Sequence, residues 1–195
     1  MLLIAYAVEL ILKAGLTSLY RGCSKELFSH DVKKRFGHSL KSIAKEIEFP
    51  TSASHSKQLR QLQNIVLSEG RYPFLSDDPK HDMARRNKRS HYFWDDTQFK
   101  AHTRLYDAIR HHVALLDQDS HNPATFVSVG IDKDGYFSFR RGGNLSSRII
   151  VKYSSLQRRQ RRNNPRQLRS LLLSHLSNPF LKHDWDAARF RCVQM

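Results

Sequence analysis

The stretch from Arg85 to Leu116 constrains the fold most, because a basic and aromatic opening leads directly into the pattern of a long core-facing helix. Asp95 or Asp96 can cap the first turn of that helix by accepting hydrogen bonds from free backbone amides. Arg104 and His111 are seven residues apart, so they share one face of the helix. Apolar residues on another face recur at helical spacing and predict packing on a core: Phe99, Tyr106, Ile109, Val113 and Leu116.

Three further helices are predicted before this one. The first, from near Leu2 to Tyr20, is apolar on nearly every side, and its only charges, Glu9 and Lys13, are four residues apart and can pair. Two shorter amphipathic helices are predicted over residues 40–47 and 59–67. Residues 21–35 are predicted to be a polar connector, with one turn of helix as an alternative. A helix like the first must be covered on nearly every side, which favours a helical bundle, a second subunit, or both.

The apolar opening also has to be weighed as a signal sequence or a membrane helix. It lacks a basic leading region and a small-residue cleavage site, and Glu9 and Lys13 interrupt it, so we expect a buried helix and no membrane partner. Cys23 and Cys192 are far apart and belong to no CxxC or Cys/His ligand cluster. These features predict a cytoplasmic protein with no disulfide scaffold, no metal and no cofactor.

Beyond Asn122 the sequence changes to strand-forming runs, with Asp132-Lys133-Asp134-Gly135 as a hairpin turn. The predicted strands cover residues 125–131, 136–140 and 148–153. Asn164 can cap a last helix with Pro165 in its first turn, and its apolar stripe is Leu168, Leu171, Leu172 and Leu176. The sequence therefore predicts a mainly α protein. An up-down four-helix bundle would span residues 1–120, and a basic extension with a hairpin or three-strand piece and a terminal basic helix would span residues 121–195.

The formal net charge of +15, from 33 Lys and Arg against 18 Asp and Glu, favours a polyanionic partner. Nucleic acid is the first expectation, an acidic protein the second and an anionic membrane the third. No Asp or Glu lies between Asp134 and Asp184, and such one-signed charge is poorly explained as a salt-bridged face. Contacts to RNA phosphates explain it without any reading of bases. The candidate RNA-binding residues are Arg71, Arg140, Arg141, Arg148, Arg158, Arg159, Arg161 and Arg162.

Three short motifs follow one another in an order typical of a known family. They are Glu9-Leu10 with Lys13, then Gly37-His38-Ser39-Leu40-Lys41-Ser42-Ile43, and then Glu69-Gly70-Arg71-Tyr72-Pro73. Together they resemble the HEPN family of helical bundles, whose members carry an E-L-x-x-K helix, an H-x-L-x-x-L helix and often an R-Y-P-like turn. The resemblance covers roughly residues 3–117, and the extension after residue 123 has no part in it.

The resemblance implies a HEPN-like four-helix bundle that acts on RNA. Many HEPN proteins are metal-independent endoribonucleases of toxin–antitoxin or phage-defence systems, and others bind RNA or nucleotides without cutting. Catalytic members place an R-x4-6-H motif at a cleft formed by two subunits. By resemblance we expect a homodimer that acts on RNA, with an antitoxin or a nucleotidyltransferase as a further partner.

Cleavage of RNA without a metal needs proton transfer near neutral pH, which His supplies, and a cation on the phosphate oxygens, which Arg supplies. Arg86, Asn87 and His91 match the family motif, because a polar residue follows the Arg and the pair lies directly before the last bundle helix. The aromatic residues Tyr92, Phe93 and Trp94 beside them are expected to be core, with base stacking as the alternative.

Two other Arg/His pairs have suitable spacing. Arg104 and His111 share a helix face, but Leu105 follows the Arg where the family has a polar residue. Arg169 and His175 lie outside the resemblance. Context therefore ranks Arg86, Asn87 and His91 narrowly above Arg104 and His111.

Two other functions stay open. One is a non-catalytic HEPN-like module that binds RNA or a partner protein, for which binding should weaken steeply with salt and show no turnover. The other is a DNA-binding regulator that uses the last helix and the hairpin, which should prefer duplex DNA to RNA.

Overall fold

The structure is a computed structural model that describes residues 1–21, 23, 25–69, 95–160, 163–175 and 179–193. The chain divides into two compact units. The first consists of Met1–Thr17 and Phe36–Ala114, and the second of Ser18–Arg35 and Leu115–Met195. The second unit therefore combines an early segment with the C-terminal part of the chain.

The described helices are α1 (Leu2–Leu19), α2 (Lys25–Asp31), α3 (Leu40–Glu46), α4 (Ala53–Asn64), α5 (Asp96–Leu115), α6 (Ser155–Arg159), α7 (Pro165–His175) and α8 (Pro179–Asp184). Two of these helices continue as π-helical segments, α2 into Val32–Phe36 and α4 into Ile65–Glu69. The strands are β1 (Thr125–Ile131), β2 (Gly135–Arg141), β3 (Arg148–Lys152) and β4 (Arg189–Cys192). Helices are thus confirmed where the sequence predicted α1, α3, α4, α5 and α7. The predicted connector over residues 21–35 is instead largely helical.

The first unit is held together by the apolar sides of its helices. Its fully buried residues include Ala5, Val8, Leu12, Leu16, Leu40, Ile43, Ala44, Ile47, Leu59, Leu62 and Ile109. Gly15 permits a close approach in this core, because a Cβ atom there would lie 3.1 Å from side-chain atoms of both Ile47 and Val113. The α1 helix is therefore a core helix along one side. Its opposite side, with Leu3 and Leu10, is exposed in the described part of the chain.

Helix α5 begins as the sequence predicted but packs on a shifted face. The Asp95 carboxylate accepts a hydrogen bond from the Gln98 amide at 3.1 Å, which makes Asp95 rather than Asp96 the capping residue. The buried face of α5 contains His102, Leu105 and Ile109, whereas Phe99 is 45% exposed. The predicted stripe was therefore wrong at Phe99, because a polar histidine takes the core position one turn later.

The second unit is built around a mixed four-stranded sheet with the order β1-β2-β3-β4. β1, β2 and β3 are antiparallel neighbours, whereas β4 pairs in parallel with β3. Parallel neighbours need a long crossover connection, and here α6, α7 and α8 supply it. The three predicted strands and the hairpin turn at residues 132–135 are confirmed.

The two faces of this sheet have different chemistry because successive side chains of a strand point to opposite sides. One face carries the apolar residues and packs under α7 and α8, in a core of Ile131, Phe137, Phe139, Ile149, Val151, Tyr153, Leu168, Leu172, Leu181 and Trp185. On the other face, Arg140, Arg148 and Arg189 lie side by side in register on β2, β3 and β4. Residues of the segment 18–35 meet this second face: Arg191 donates a hydrogen bond to the Tyr20 hydroxyl, and the Arg21 guanidinium lies over the Phe126 ring.

The predicted fold class, a mainly α four-helix bundle with a three-strand piece, is wrong. The described residues form helices and a four-strand mixed sheet, so the architecture is mixed α/β. The prediction failed because β4 and the helices that connect it to β3 make the C-terminal part a β-α-β unit rather than a hairpin followed by a helix. The segment 18–35 also joins this unit instead of linking helices of a bundle.

Among the described helices, α1 alone is long and apolar enough to cross a membrane. Only 39% of that segment is buried inside the protein, and a core helix or a signal sequence would pass the same test. Burial of Ala5, Val8, Leu12 and Leu16 shows the side of α1 that serves the core.

Candidate nucleic-acid interface

Several predicted site residues lie outside the described part of the chain. They are Arg71, Arg86, Asn87 and His91, the aromatic residues Tyr92, Phe93 and Trp94, and Arg161 and Arg162. The preferred Arg/His pair therefore has no described geometry.

The second predicted pair, Arg104 and His111, lies on one exposed face of α5. The described residues give neither side chain an ion pair or a hydrogen bond. Seven residues of α-helix separate their Cα atoms by roughly 10.5 Å along the helix axis. Both groups are thus free to meet a polyanion.

The other two histidines of α5 have structural roles. His102 is 1% exposed, and burial lowers the pKa of its imidazole. His112 donates from Nε2 to the Ile47 carbonyl oxygen at 2.8 Å and packs edge-to-face against Phe49. Across the described residues, no group of three or more His, Cys, Asp or Glu side chains could hold a metal ion.

The predicted pair of Glu9 and Lys13 is present on α1, and its carboxylate is buried. Glu9 Oε1 accepts hydrogen bonds from Lys13 Nζ and from His38 Nδ1, the latter at 2.8 Å. Removing a carboxylate from water is costly unless it is paired, and Lys13 and His38 provide that pairing. This cluster therefore ties the residues before α3 to α1.

Most of the positive charge belongs to the second unit. This unit holds 19 of the 33 Lys and Arg residues and 8 of the 18 Asp and Glu residues, which gives it +11 of the formal charge of +15. A polyanionic partner would therefore be attracted mainly to the second unit. The arginines of this unit differ in what they contact.

Three predicted RNA-binding arginines are engaged by the fold. Arg140 on β2 is 2% exposed and pairs with Asp117 at 2.6 Å. Arg148, its neighbour in register on β3, is also buried. Arg141 pairs with Asp184 at 3.1 Å and is about a quarter exposed. Buried or paired guanidinium groups are not available to a phosphate backbone, so these three residues do not belong to the candidate interface.

Another set of arginines is exposed on α6 and at the start of α7. Arg158 is 3.8 Å from Asp134, and each of the two side chains is about two-fifths exposed, so that pair is weak. Arg159 and Arg166 are exposed and have no ion-pair or hydrogen-bond partner for their side chains within the described ranges. Arg159 and Arg166 therefore form the centre of the candidate interface.

Local sequence explains why α6 and α7 hold these arginines in place. Ser154 and Gln157 form a reciprocal capping box at the start of α6, with both hydrogen bonds at 3.0 Å. The Asn164 side chain accepts from the Gln167 amide at 2.9 Å, and Pro165 is the first residue of α7, which confirms the predicted cap. These caps give both short helices defined starting points.

The hairpin turn anchors α6 to the sheet. The Asp134 carboxylate accepts hydrogen bonds from the Ser155 backbone amide, at 2.9 Å, and from the Ser155 hydroxyl. These hydrogen bonds lower the pKa of Asp134, so this carboxyl group stays ionised at neutral pH. The acidic end of the hairpin is thereby used for positioning α6, while the arginines that follow point to solvent.

Comparison of the chain with family models, with curated proteins and with solved structures gives no match.

Proposed function

We propose that the chain binds RNA through the exposed arginines of α6 and α7. The observation that carries this proposal is the contrast within one strongly positive unit: Arg140 and Arg141 have acidic partners, whereas Arg159 and Arg166 are exposed without one in the described residues. Unpaired, one-signed charge is costly to concentrate unless a polyanion neutralises it. A cytoplasmic protein with RNA as its partner fits this charge distribution.

The chemistry of the contact is electrostatic. A guanidinium group offers a planar fork of N–H donors that matches two phosphate oxygens, and each contact releases condensed counterions from the RNA. Phosphate contacts fix the position of the strand but do not read its sequence. Binding through these residues should therefore depend steeply on salt.

The test compares wild type with Arg159→Ala/Arg166→Ala on a fluorescent single-stranded RNA, by anisotropy at several KCl concentrations. We expect affinity to fall at least about tenfold, and the salt slope to fall by about 0.7 for each lost phosphate contact. A matched control, Lys41→Ala/Arg60→Ala, removes two exposed charges from α3 and α4. An equal loss of affinity in both double variants would contradict the proposed interface. Tighter binding to duplex DNA than to RNA would instead favour a DNA-binding regulator.

Metal-independent cleavage is the second candidate function, because Arg104 and His111 lie exposed and unengaged on one face of α5 within the described chain. Incubation of RNA with the protein in EDTA tests it. Cleavage that persists in EDTA and is lost in His111→Ala would support this function. Salt-dependent RNA binding without cleavage would instead indicate a non-catalytic binding module. The homodimer and the antitoxin or nucleotidyltransferase partner implied by the HEPN resemblance stay predictions that sedimentation and co-purification can check.

A further inference from the structure

A groove of about 630 Å³ opens beside the exposed arginines of the second unit. It lies between α6, α7 and the β1–β2 turn, and its volume is within the range of sites that hold small organic ligands. Its lining includes Asp132 at the turn, Leu156 and Gln160 in and just after α6, and Gln167 and Leu171 on α7.

Helix α7 divides its side chains between the core and this groove. Leu168 and Leu172 are buried under the sheet, four residues apart. The groove face carries Gln167, Ser170, Leu171 and Ser174, at the i, i+3, i+4 and i+7 spacing of a single helix side. Leu171 is 41% exposed, and Leu156 opposite it on α6 is 49% exposed. The groove therefore has apolar walls that remain open to solvent.

The polar groups of the groove are mostly neutral. The side chains of Gln160 and Gln167 make no hydrogen bond with any described residue, whereas Gln157 uses its side-chain oxygen in the cap of α6. Each free amide offers both donors and an acceptor. The described lining contains no Lys or Arg, although Arg159 precedes Gln160 and Arg166 precedes Gln167 along the chain. Neutral hydrogen-bonding groups thus lie in the groove, and an arginine precedes each of the two free amides along the chain.

We propose that the groove holds unpaired bases of a single-stranded nucleic acid whose phosphates bind Arg159 and Arg166. A base has two apolar faces, which Leu156 and Leu171 can cover, and a polar edge that amides can read. A phosphate suits the flanking guanidinium groups rather than the groove, whose described lining has no cation. This inference rests on the proposed RNA binding and adds a contact to bases, which the charge alone does not supply.

Asp132 gives the groove a preference among the bases. One of its carboxylate oxygens accepts a hydrogen bond from the Ser154 hydroxyl, and the residue lines the groove at the turn. An ionised carboxylate only accepts hydrogen bonds, so it favours a base with an exocyclic amino group, such as cytosine or adenine, over uracil.

The experiment measures anisotropy with fluorescent octamers of cytidine, uridine and deoxycytidine, and with an abasic ribose-phosphate octamer. Wild type should bind the cytidine octamer at least about tenfold more tightly than the abasic one. Gln160→Ala/Gln167→Ala should weaken cytidine binding about tenfold and leave abasic binding unchanged, because both residues are exposed and their loss removes only base contacts. Circular dichroism checks that this variant is folded. Equal binding of the deoxycytidine octamer would support base binding without discrimination of the sugar.

A direct position readout comes from wild-type protein and an octamer with 4-thiouridine, photo-crosslinked and mapped by mass spectrometry. Crosslinks within residues 156–160 or 167–174 are expected. Equal affinity for cytidine and abasic octamers, or crosslinks confined to other segments, would overturn the base site. The groove would then be a candidate binding site for an apolar peptide. If Arg159→Ala/Arg166→Ala still weakens all octamers in that case, backbone binding stands. If that variant has no effect, the proposed function itself fails.

Discussion

Arginine has two opposite roles in the second unit, and the partner of each side chain decides which role it takes. Arg140 on β2 is enclosed and paired with Asp117, whereas Arg159 on α6 faces solvent without an acidic partner in the described chain. The pairing of Arg140 with Asp117 offsets the free energy of removing both charges from water. The charge of Arg159 is available to a polyanionic ligand. The same residue type is therefore enclosed and paired at one position and exposed to solvent at another, where we propose that it binds RNA.

Substitution of these two arginines should separate stability from binding. Arg140→Ala leaves the Asp117 carboxylate without its closest partner and should lower the free energy of unfolding by about 3 to 5 kcal/mol. Arg159→Ala, the matched control, should leave the urea midpoint unchanged and weaken RNA binding. Urea titration followed by circular dichroism measures the first effect and anisotropy the second. A stable Arg140→Ala protein with impaired RNA binding would reverse the assignment.

The sequence could predict that the candidate site is basic, but not which residues belong to it. The alternation in Tyr136-Phe137-Ser138-Phe139-Arg140 predicts a strand with two different faces, but it cannot tell that residues 18–35 meet the face with Arg140. The free amides Gln160 and Gln167 had no signal of their own, because they belong to the groove only through the packing of α6 beside α7. Burial by a distant segment is a long-range property that composition and local spacing do not contain.

At the scale of elements, local signals predicted local structure well. Asn164 and Pro165 marked the start of α7, and the turn at residues 132–135 marked the hairpin of β1 and β2. β4 was missed because the alternation in Arg-Phe-Arg-Cys extends over only four residues, and because β4 pairs in parallel with β3 across a long connection. Helix α6 was missed because five residues give too short a period to recognise.

Helix α5 carries a pH-sensitive element in the buried imidazole of His102. Burial lowers the pKa of this group in the folded protein, while the unfolded chain keeps an ordinary histidine pKa of about 6.5. Below that pH the unfolded chain binds a proton that the folded protein takes up less readily, so stability should fall as pH falls. For a single group the slope cannot exceed about 1.4 kcal/mol per pH unit.

Urea unfolding at pH 7.5 and pH 5.5 checks this dependence. Wild type should lose stability between the two conditions. His102→Gln, which cannot titrate there, should lose less, by at most about 1.4 kcal/mol. His111→Gln on the exposed side of the same helix is the matched control and should follow wild type. An identical pH dependence in His102→Gln and wild type would remove His102 as the cause.

For the whole molecule, the uneven charge of the two units decides where a polyanion should bind. The second unit has +11 and the first +4 by the same count of Lys, Arg, Asp and Glu. A ligand that binds only the folded form of a unit stabilises that unit by mass action. Saturating RNA at about one hundred times its Kd should add roughly 2.7 kcal/mol to the unit that holds the site.

Hydrogen exchange followed by mass spectrometry can locate that stabilisation within the chain. The slowest amides of β2 and β3, which exchange through unfolding of the second unit, should slow about one hundredfold with saturating RNA. Arg159→Ala/Arg166→Ala at the same RNA concentration should show a smaller effect, because less of it is bound. Slowing confined to α3, α4 and α5, with none in β2 and β3, would place the RNA on the first unit and direct attention to Arg104 and His111. If RNA changes the exchange rate of no amide, we infer that the positive charge of the second unit binds a partner other than RNA.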